Sequence, residues 1–476
     1  MSDDSILTGK ILQLHGWSQG KIIGLAKRIG EQLADQGLDR ETILARLDAV
    51  RQDPGSFLAD ALMADLAREC LRLSRKDDSP SDTLRERHIE YPVWGRENID
   101  DGSLAQMDNA MRLPISVAGA LMPDAHLGYG LPIGGVLAAD HAVIPFAVGV
   151  DIACRMRLSI FEVSPHLIGQ KKGMFEDALW EQTAFGMGAQ WKEDKRADHE
   201  VLDDPSWEAT RLLKSLQDNA ARQLGTSGTG NHFVEWGSFR LHEPMLGLQP
   251  GEYLALLSHS GSRSVGFKIA DRYSRLAMEI HPDLDKNVRH LAWFSLDSEE
   301  GQEYWLSMQL AGRFASASHY VIHHRVAAAV GLKEAVVVEN HHNFAWKEKL
   351  SDGREVIVHR KGATPAGVGV LGVIPGSMGD AGYVVRGRGV SESLESASHG
   401  AGRLMSRKAA LNSISRSARD EYLKERGVTL LGGGLDESPQ AYKPIESIIA
   451  AQHDLVDVIG KFTPRIVRMA DEPGDI

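Results

Sequence analysis

The hydrophobic rhythm of the chain changes once. From about Trp17 to Leu73, apolar residues recur at helical spacing: Ile22, Ile23, Leu25, Ala26, Ile29 and Leu33, then Leu58, Leu62, Leu66 and Leu71. A period of three to four residues gathers such side chains on one face of a helix. Asp39 to Arg51 predicts another short helix, stopped near Pro54-Gly55. The stretch Arg75-Lys-Asp-Asp-Ser-Pro-Ser-Asp82 is polar and carries a proline, as linkers do. The pattern predicts a helical N-terminal module over residues 1–85 and a second domain over 86–476.

After the linker, short apolar runs end in Gly, Ser, Asn or His. Ala142–Val150 runs into Asp151 and Cys154, Tyr253–Leu257 into Ser258-His259, and Ala335–Val338 into Glu339-Asn-His-His342. Each predicts a buried strand whose end delivers a polar side chain to a loop, where rigid sheets display reactive groups. Helices are predicted over Arg263–Ile280 and Tyr304–Ala329, and from Gly402 towards Arg426, the last starting directly after His399.

Composition narrows the class. The 476 residues are 42% hydrophobic and 25% charged, as in a soluble globular protein with a large core. No apolar run is long enough to span a bilayer, and the N-terminus lacks the pattern of a signal peptide. Only Cys70 and Cys154 are present, which excludes a disulfide framework and makes a reducing cytoplasm the expected home. A net charge of −12 argues against a surface that is entirely a nucleic-acid platform. A local basic groove stays open: Arg360-Lys361, Arg386 with Arg388, and Arg403 with Arg407-Lys408 fall near glycine-rich motifs, where they are either groove-lining or solvated surface charges.

The chemistry-bearing residues sit in those motifs. Asp151, Cys154, His232, His259 and His342 supply one carboxylate, one thiolate and three imidazoles, all at strand ends or in glycine-rich loops. A thiolate can bridge two cations, so five such ligands can serve a two-metal site with open positions. Ligand softness alone favours zinc, although the spacing is not that of a zinc finger. His341, adjacent to His342, is expected to point the other way. Gly225-Thr-Ser-Gly-Thr-Gly230, Gly376-Ser-Met-Gly-Asp-Ala-Gly382 and His399-Gly-Ala-Gly402 are rich in backbone N–H donors and suit anions, yet none is a Walker or Rossmann loop. His399, read as the start of a helix, is a candidate nucleophile whose phosphorylated form a helix dipole would stabilise.

Taken together, Pro123-Asp-Ala-His-Leu-Gly-Tyr-Gly130, Gly149-Val-Asp-Ile-Ala-Cys154, Gly230-Asn-His-Phe-Val-Glu235, His259-Ser-Gly-Ser-Arg263, His341-His-Asn343, His359-Arg-Lys-Gly-Ala-Thr-Pro-Ala366, Pro375-Gly-Ser-Met-Gly379 and Ser398-His-Gly-Ala-Gly-Arg403 resemble, in order, the RtcB family of RNA ligases. The resemblance runs from about Tyr91 to Tyr442. It implies an α+β fold with a mixed-sheet core and surrounding helices. It also implies a GTP- and Mn(II)-dependent ligase that joins RNA 3′-phosphate or 2′,3′-cyclic phosphate ends to 5′-hydroxyl ends in RNA repair or tRNA splicing, with manganese overriding the preference for zinc. By the same resemblance, Cys154 bridges two Mn(II) ions, Asp151 and His232 complete one shell, and His259 and His342 the other. His399 becomes guanylylated. Asn231, Glu235, Ser377, Gly400, Gly402 and Tyr442 join His399 around the nucleotide, Glu235 reading the base. Asp124, His126, Arg263, Arg360 and Lys361 line the RNA end. An archease-like activator or a release-factor-like protein is the expected partner, and no membrane.

Two features depart from the family. Its closing strand carries a lysine where this chain has Met469, with Arg468 and Lys461 the candidate replacements, and Asp380 and Gly382 stand where small hydroxyl residues are common. These departures keep a second reading alive, a metal-dependent phosphohydrolase or cyclic phosphodiesterase acting on RNA ends without nucleotidyl transfer.

Overall fold

The computed structural model describes residues 7–17, 21–77 and 82–471, and the chain divides into two compact units, Met1–Ser81 and Asp82–Ile476. Most of the linker's central residues, 78–81, lie outside the described residues. The first unit is helical: Gly9–Leu14, Lys21–Asp35, Arg40–Gln52 and Ala64–Asp77. Asp39 caps the third helix by accepting from the Thr42 N–H at 2.9 Å. Leu12, Ala26, Ile29, Leu33, Ile43, Leu47, Val50 and Leu66 close a small core of their own. Leu58 departs from the expected helix and is 42% exposed. Pro54–Phe57 forms a tight turn, and Asp60 then accepts from the Leu62 and Met63 N–H groups, so the last helix starts only at Ala64.

The second unit is α+β. Its large sheet has eight strands, in the order Leu371–Ile374, Gly382–Gly387, Val456–Met469, Phe233–Leu241, Gly251–Ser260, Arg155–Phe161 and Val336–His341, with Thr429–Leu431 added beside Val456–Met469. The Thr429–Leu431 pairing is parallel and the others antiparallel, which makes the sheet mixed. Leu254 and Leu256 face a core containing Trp236, Ile322 and Val326, while Ala255 and Leu257 face another containing Met156, Phe239 and Phe462. Both faces are covered, which is why Tyr253–Leu257 reads as a continuous apolar run without alternation. A four-stranded antiparallel sheet, Ser116–His126, Ile133–Ala139, Glu355–Lys361 and Asn343–Lys349, stands beside it. His342 alone separates Val336–His341 of the large sheet from Asn343–Lys349 of the small one.

The helix over Arg263–Ile280 forms as expected, and the longer one starts five residues early at Glu299, where Ser298 accepts from the Gly301 N–H at 3.0 Å. Two expectations fail. Ala142–Val150 is not a strand; it makes a two-residue bridge at Ala142–Val143, then Pro145 starts a helical turn over Pro145–Val148 that ends at Gly149 with φ +104°. No helix begins after His399 either. Ser396–Ser398 is a short strand against Ala363–Pro365, and the helices lie later, at Arg407–Ser413 and Arg416–Glu425. His399 therefore has no helix dipole behind it.

Candidate active site

Antiparallel register brings the donor residues to one end of the large sheet. Met156 pairs with His259, and His259 with Phe233, so Cys154 and His232, which precede those strands, lie level with it. Cys154 Sγ is 3.4 Å from His232 Nε2 and 3.1 Å from His259 Nε2. His232 Nε2 is 3.1 Å from Asp151 Oδ2, and His259 Nε2 is 3.2 Å from His342 Nε2. The thiol thus stands between two pairs of donors. His341, on the preceding strand position, turns away and accepts from Arg155 at 3.0 Å.

Burial sets the protonation of this group. It drives His259 down to about 3, helped by the neighbouring His232, and holds His342 well below the ordinary imidazole range. Burial, then the Asp151 carboxylate, pushes the Cys154 thiol well above its usual value. Burial also pushes Asp151 upward, but hydrogen bonding and charge from His232, with Cys154 and Arg263, outweigh it and leave the carboxyl below its normal range. His259 Nδ1 donates to the Asn231 carbonyl at 3.0 Å, which leaves the Nε2 lone pair directed at Cys154 and His342. Buried His232 Nδ1 and His342 Nδ1 have no hydrogen-bond partner. Lone pairs from sulfur and nitrogen converging this closely are the arrangement a divalent cation stabilises, and the donor set fits one. Two glycines of the quoted motifs make it possible: a Cβ at Gly228 would collide with His232, and one at Gly261 with Asp151.

His399 lies against this cluster, its ring centroid 4.9 Å from that of His342. Asp124 Oδ2 accepts from His399 Nδ1 at 2.6 Å and from the backbone N–H groups of His399 and Gly400 at 3.1 and 3.3 Å. Nδ1 is therefore the protonated nitrogen, and Nε2 keeps its lone pair. Together they border a cavity of about 550 Å³, whose walls include Asp151, Cys154, His232, His259, His342, His399, Asn231, Ser377, Gly400, Gly402, Tyr442, His126 and Lys361. All three glycine-rich loops reach it, through Thr229, through Gly376–Met378 and through His399–Gly402. A larger, open cleft of about 1000 Å³ lies elsewhere, between Pro165–Lys172 and the Arg416–Leu430 region, and none of the candidate donors borders it.

Several expected residues stand behind this wall. Asp124 is fully buried under His399 and positions it; it does not line an RNA path. Arg263 is held by Thr226 Oγ1 at 3.2 Å and the Gly186 carbonyl at 2.6 Å. Arg360 is 1% exposed, paired with Glu348, bonded to Ser396, and stacked 4.7 Å over Trp346, so its guanidinium has no reach to the cavity. Lys361, next on the same strand, turns the opposite way. Its ammonium, lowered to about 7 by burial, donates to the Tyr129 and Leu131 carbonyls. Arg386 and Arg388 pair with Glu243 and Asp457. Arg403 and Arg407 do line the cavity, in a web with Glu437 and Tyr442.

The Met469 end of the cavity is apolar where a cation was expected. Met469 pairs with Phe233 in the sheet, and both line the cavity beside Met378. Arg468 faces away, its guanidinium 3.9 Å over Trp180 and bonded to Asp471, and Lys461 lies over Tyr383. Neither replaces the missing charge. Glu235, on the Phe233 face of the same strand, is 4% exposed, raised well above the carboxylate range by burial, and its Oε2 has no partner. Asp380 is occupied by Ser377 and by Tyr422 Oη at 2.6 Å. Asn343 and Glu437 also line the cavity and were not singled out from sequence; Asn343 continues the His341-His342 motif, while Glu437 is brought in only by its partners Arg403, Arg407 and Tyr442.

Residues 106–470 match the family described as tRNA-splicing ligase RtcB, and the chain belongs to that family. It is similar to the RNA-splicing ligase RtcB of Escherichia coli K12, 33% identical over 393 residues that cover 74% of this chain and 90% of the relative. The tRNA-splicing ligase RtcB of Thermococcus kodakarensis is 31% identical, over 76% and 90% of the two chains, and the RNA-splicing ligase RtcB of Mycobacterium tuberculosis 31%, over 73% and 95%. Among the described residues no helix is long and apolar enough to cross a membrane.

Two substitutions separate structural from ligating roles. Arg360→Met should cost about 2–4 kcal/mol in urea unfolding by stranding the half-buried Glu348. Gly228→Ala should displace the His232 ring and weaken divalent-cation binding about 10–100-fold in calorimetric titration; unchanged affinity would mean that the His232 ring does not hold the cation.

Proposed function

We propose that the protein is a GTP- and Mn(II)-dependent RNA ligase that joins 3′-phosphate or 2′,3′-cyclic phosphate ends to 5′-hydroxyl ends, with the chemistry in residues 86–476. The observation that carries this reading is His399, with Nδ1 held by Asp124 at 2.6 Å and its ring beside the donor cluster. The orienting carboxylate fixes the tautomer, so the nucleophilic Nε2 needs no base to free it.

In this reading Nε2 attacks the α-phosphorus of GTP, forming the N–P bond as the bond to pyrophosphate breaks. Nδ1–H keeps donating to Asp124, whose carboxylate offsets the positive charge that develops on the ring. The RNA 3′-phosphate then attacks the same phosphorus, taking GMP and returning the imidazole. Finally the 5′-hydroxyl attacks the activated 3′-phosphorus, closing the phosphodiester and expelling GMP. A cyclic end is first opened by water to the 3′-phosphate. Asp151, Cys154, His232, His259 and His342 would hold two divalent ions, which neutralise phosphoryl oxygens and orient the nucleophile in line. The glycine-rich loops supply further backbone donors, and Arg403 and Arg407 positive charge. The pairing of Asp151 with His232 and of His259 with His342 about Cys154 supports the division into two sites. An archease-like or release-factor-like partner belongs to the same reading.

The Met469 surroundings favour a second reading, hydrolysis of RNA ends without nucleotidyl transfer. Incubation with Mn(II) and [α-³²P]GTP followed by denaturing electrophoresis separates the two. The expected result is an acid-labile, alkali-stable label that His399→Ala abolishes and Asp124→Asn reduces at least tenfold. No label from metal-loaded protein, with ATP also tried, would leave the hydrolase. Met469→Lys should tighten GTP binding about tenfold, a buried charge-assisted hydrogen bond contributing about 1.5–3 kcal/mol; unchanged affinity in equilibrium binding would mean another group makes that contact.

A further inference from the structure

The mouth of the cavity presents aromatic surface that the nucleotidyl chemistry does not use. Tyr129 is 69% exposed, His290 is exposed and Phe146 half-buried. Their rings meet edge to face or tilted: Phe146 and His290 at 4.9 Å, Tyr129 and His290 at 6.1 Å, Tyr129 and Phe146 at 6.5 Å. Tyr129 and Phe146 border the same cavity as His399 and Cys154. Leu127 and Val150, 59% and 44% exposed, extend the apolar surface around them. Contiguous exposed apolar surface beside a reaction cavity marks a binding surface more often than a packing remnant.

The rings are held in place. Lys361 fixes the loop by donating to the Tyr129 and Leu131 carbonyls. Gly130, at φ +72°, lets that loop lie against the His290 backbone, where a Cβ would press on the His290 carbonyl at 3.0 Å. Phe146 follows Pro145 in the Pro145–Val148 turn, whose fixed φ orients it. Such a frame loses little entropy when a flat ligand covers it.

We infer that Tyr129, Phe146 and His290 form a stacking platform for an unpaired base of the RNA strand whose end lies at His399. The inference rests on the RNA-ligase reading. The aromatic surface of Tyr129 and Phe146 borders the same cavity as the glycine-loop N–H donors and as Arg403 and Arg407, so one wall offers groups for a base and another groups for a phosphate. A platform of this kind accepts any base, because every base has a π-face, and a terminal base that is already unpaired avoids the cost of leaving a duplex. The protein should therefore favour ends with at least one single-stranded nucleotide while remaining indifferent to its identity.

The test is a cycle of two changes, with RNA affinity from fluorescence anisotropy and KM and kcat for joining as readouts. A 3′-phosphate RNA with an intact terminal nucleotide is compared with one whose terminal nucleotide is abasic, in the wild type, Tyr129→Ala, Phe146→Ala and Tyr129→Phe. In the wild type the abasic end should bind roughly tenfold more weakly. Tyr129→Ala should weaken the intact end by a similar factor, raise KM more than it lowers kcat, and add little to the abasic penalty, while Tyr129→Phe keeps most of the affinity. Affinity within twofold of wild type in both alanine variants, or an abasic penalty undiminished in Tyr129→Ala, would overturn the platform. If the wild type neither labels with GTP nor joins RNA, the ligase reading fails, and the anisotropy arm still decides whether the platform holds the base.

Discussion

The second unit is organised around the crowding of Cys154, His232, His259 and His342 at one end of its large sheet. Their donor atoms approach one another to 3.1–3.4 Å in a region where burial disfavours any charge. Uncompensated convergence of that kind costs free energy, and the protein sustains it because the strands that carry the donors are fixed by ladder hydrogen bonds and covered on both faces. Loop residues alone would relax apart. Antiparallel register does the positioning, since a slip of one residue in the Phe233–His259 pairing would send His259 to the other face of the sheet.

The same economy explains His399. Its orientation comes from Asp124 at the strand end Ser116–His126, and Asp124 is itself locked by three N–H donors from the His399 segment. A fully buried carboxylate is tolerable only with such donors. The donor cluster thus stands on the large sheet and the carboxylate that orients His399 on the small one, and His342, the single residue between those sheets, is where His399 meets the cluster.

Legibility from sequence followed the range of the interactions. His232, His259 and His342 stand out because apolar runs border them on the chain, and their delivery by strand ends is a local property. The helix over Arg263–Ile280 was readable for the same reason. What failed depended on partners far along the chain. The three-residue strand before His399 exists only because Ala363–Pro365 pairs with it, so its glycine-rich sequel reads locally like a helix start. Arg360 and Lys361 look equivalent as neighbours and both are buried, yet strand alternation turns Arg360 to Glu348 and Lys361 to the Tyr129 and Leu131 carbonyls beside the cavity. Leu58 keeps helical spacing with Leu62, but Asp60 intervenes with caps that spacing cannot register.

The Met469 end of the cavity is walled differently from the donor end. Glu235 is buried by its strand, with desolvation as the cause of its raised pKa and one oxygen without a partner. Phe233, Met378 and Met469 line the adjoining wall, and Arg468 and Lys461 are engaged elsewhere. Burial favours the neutral form of the Glu235 carboxyl, as it does for the Cys154 thiol. Asp151 is the exception in the donor cluster, held as a carboxylate by His232. A lysine at Met469 would put an ammonium into the apolar wall that Met469 forms with Phe233 and Met378. Methionine keeps that wall apolar, and the difference is confined to one residue at the end of the Val456–Met469 strand.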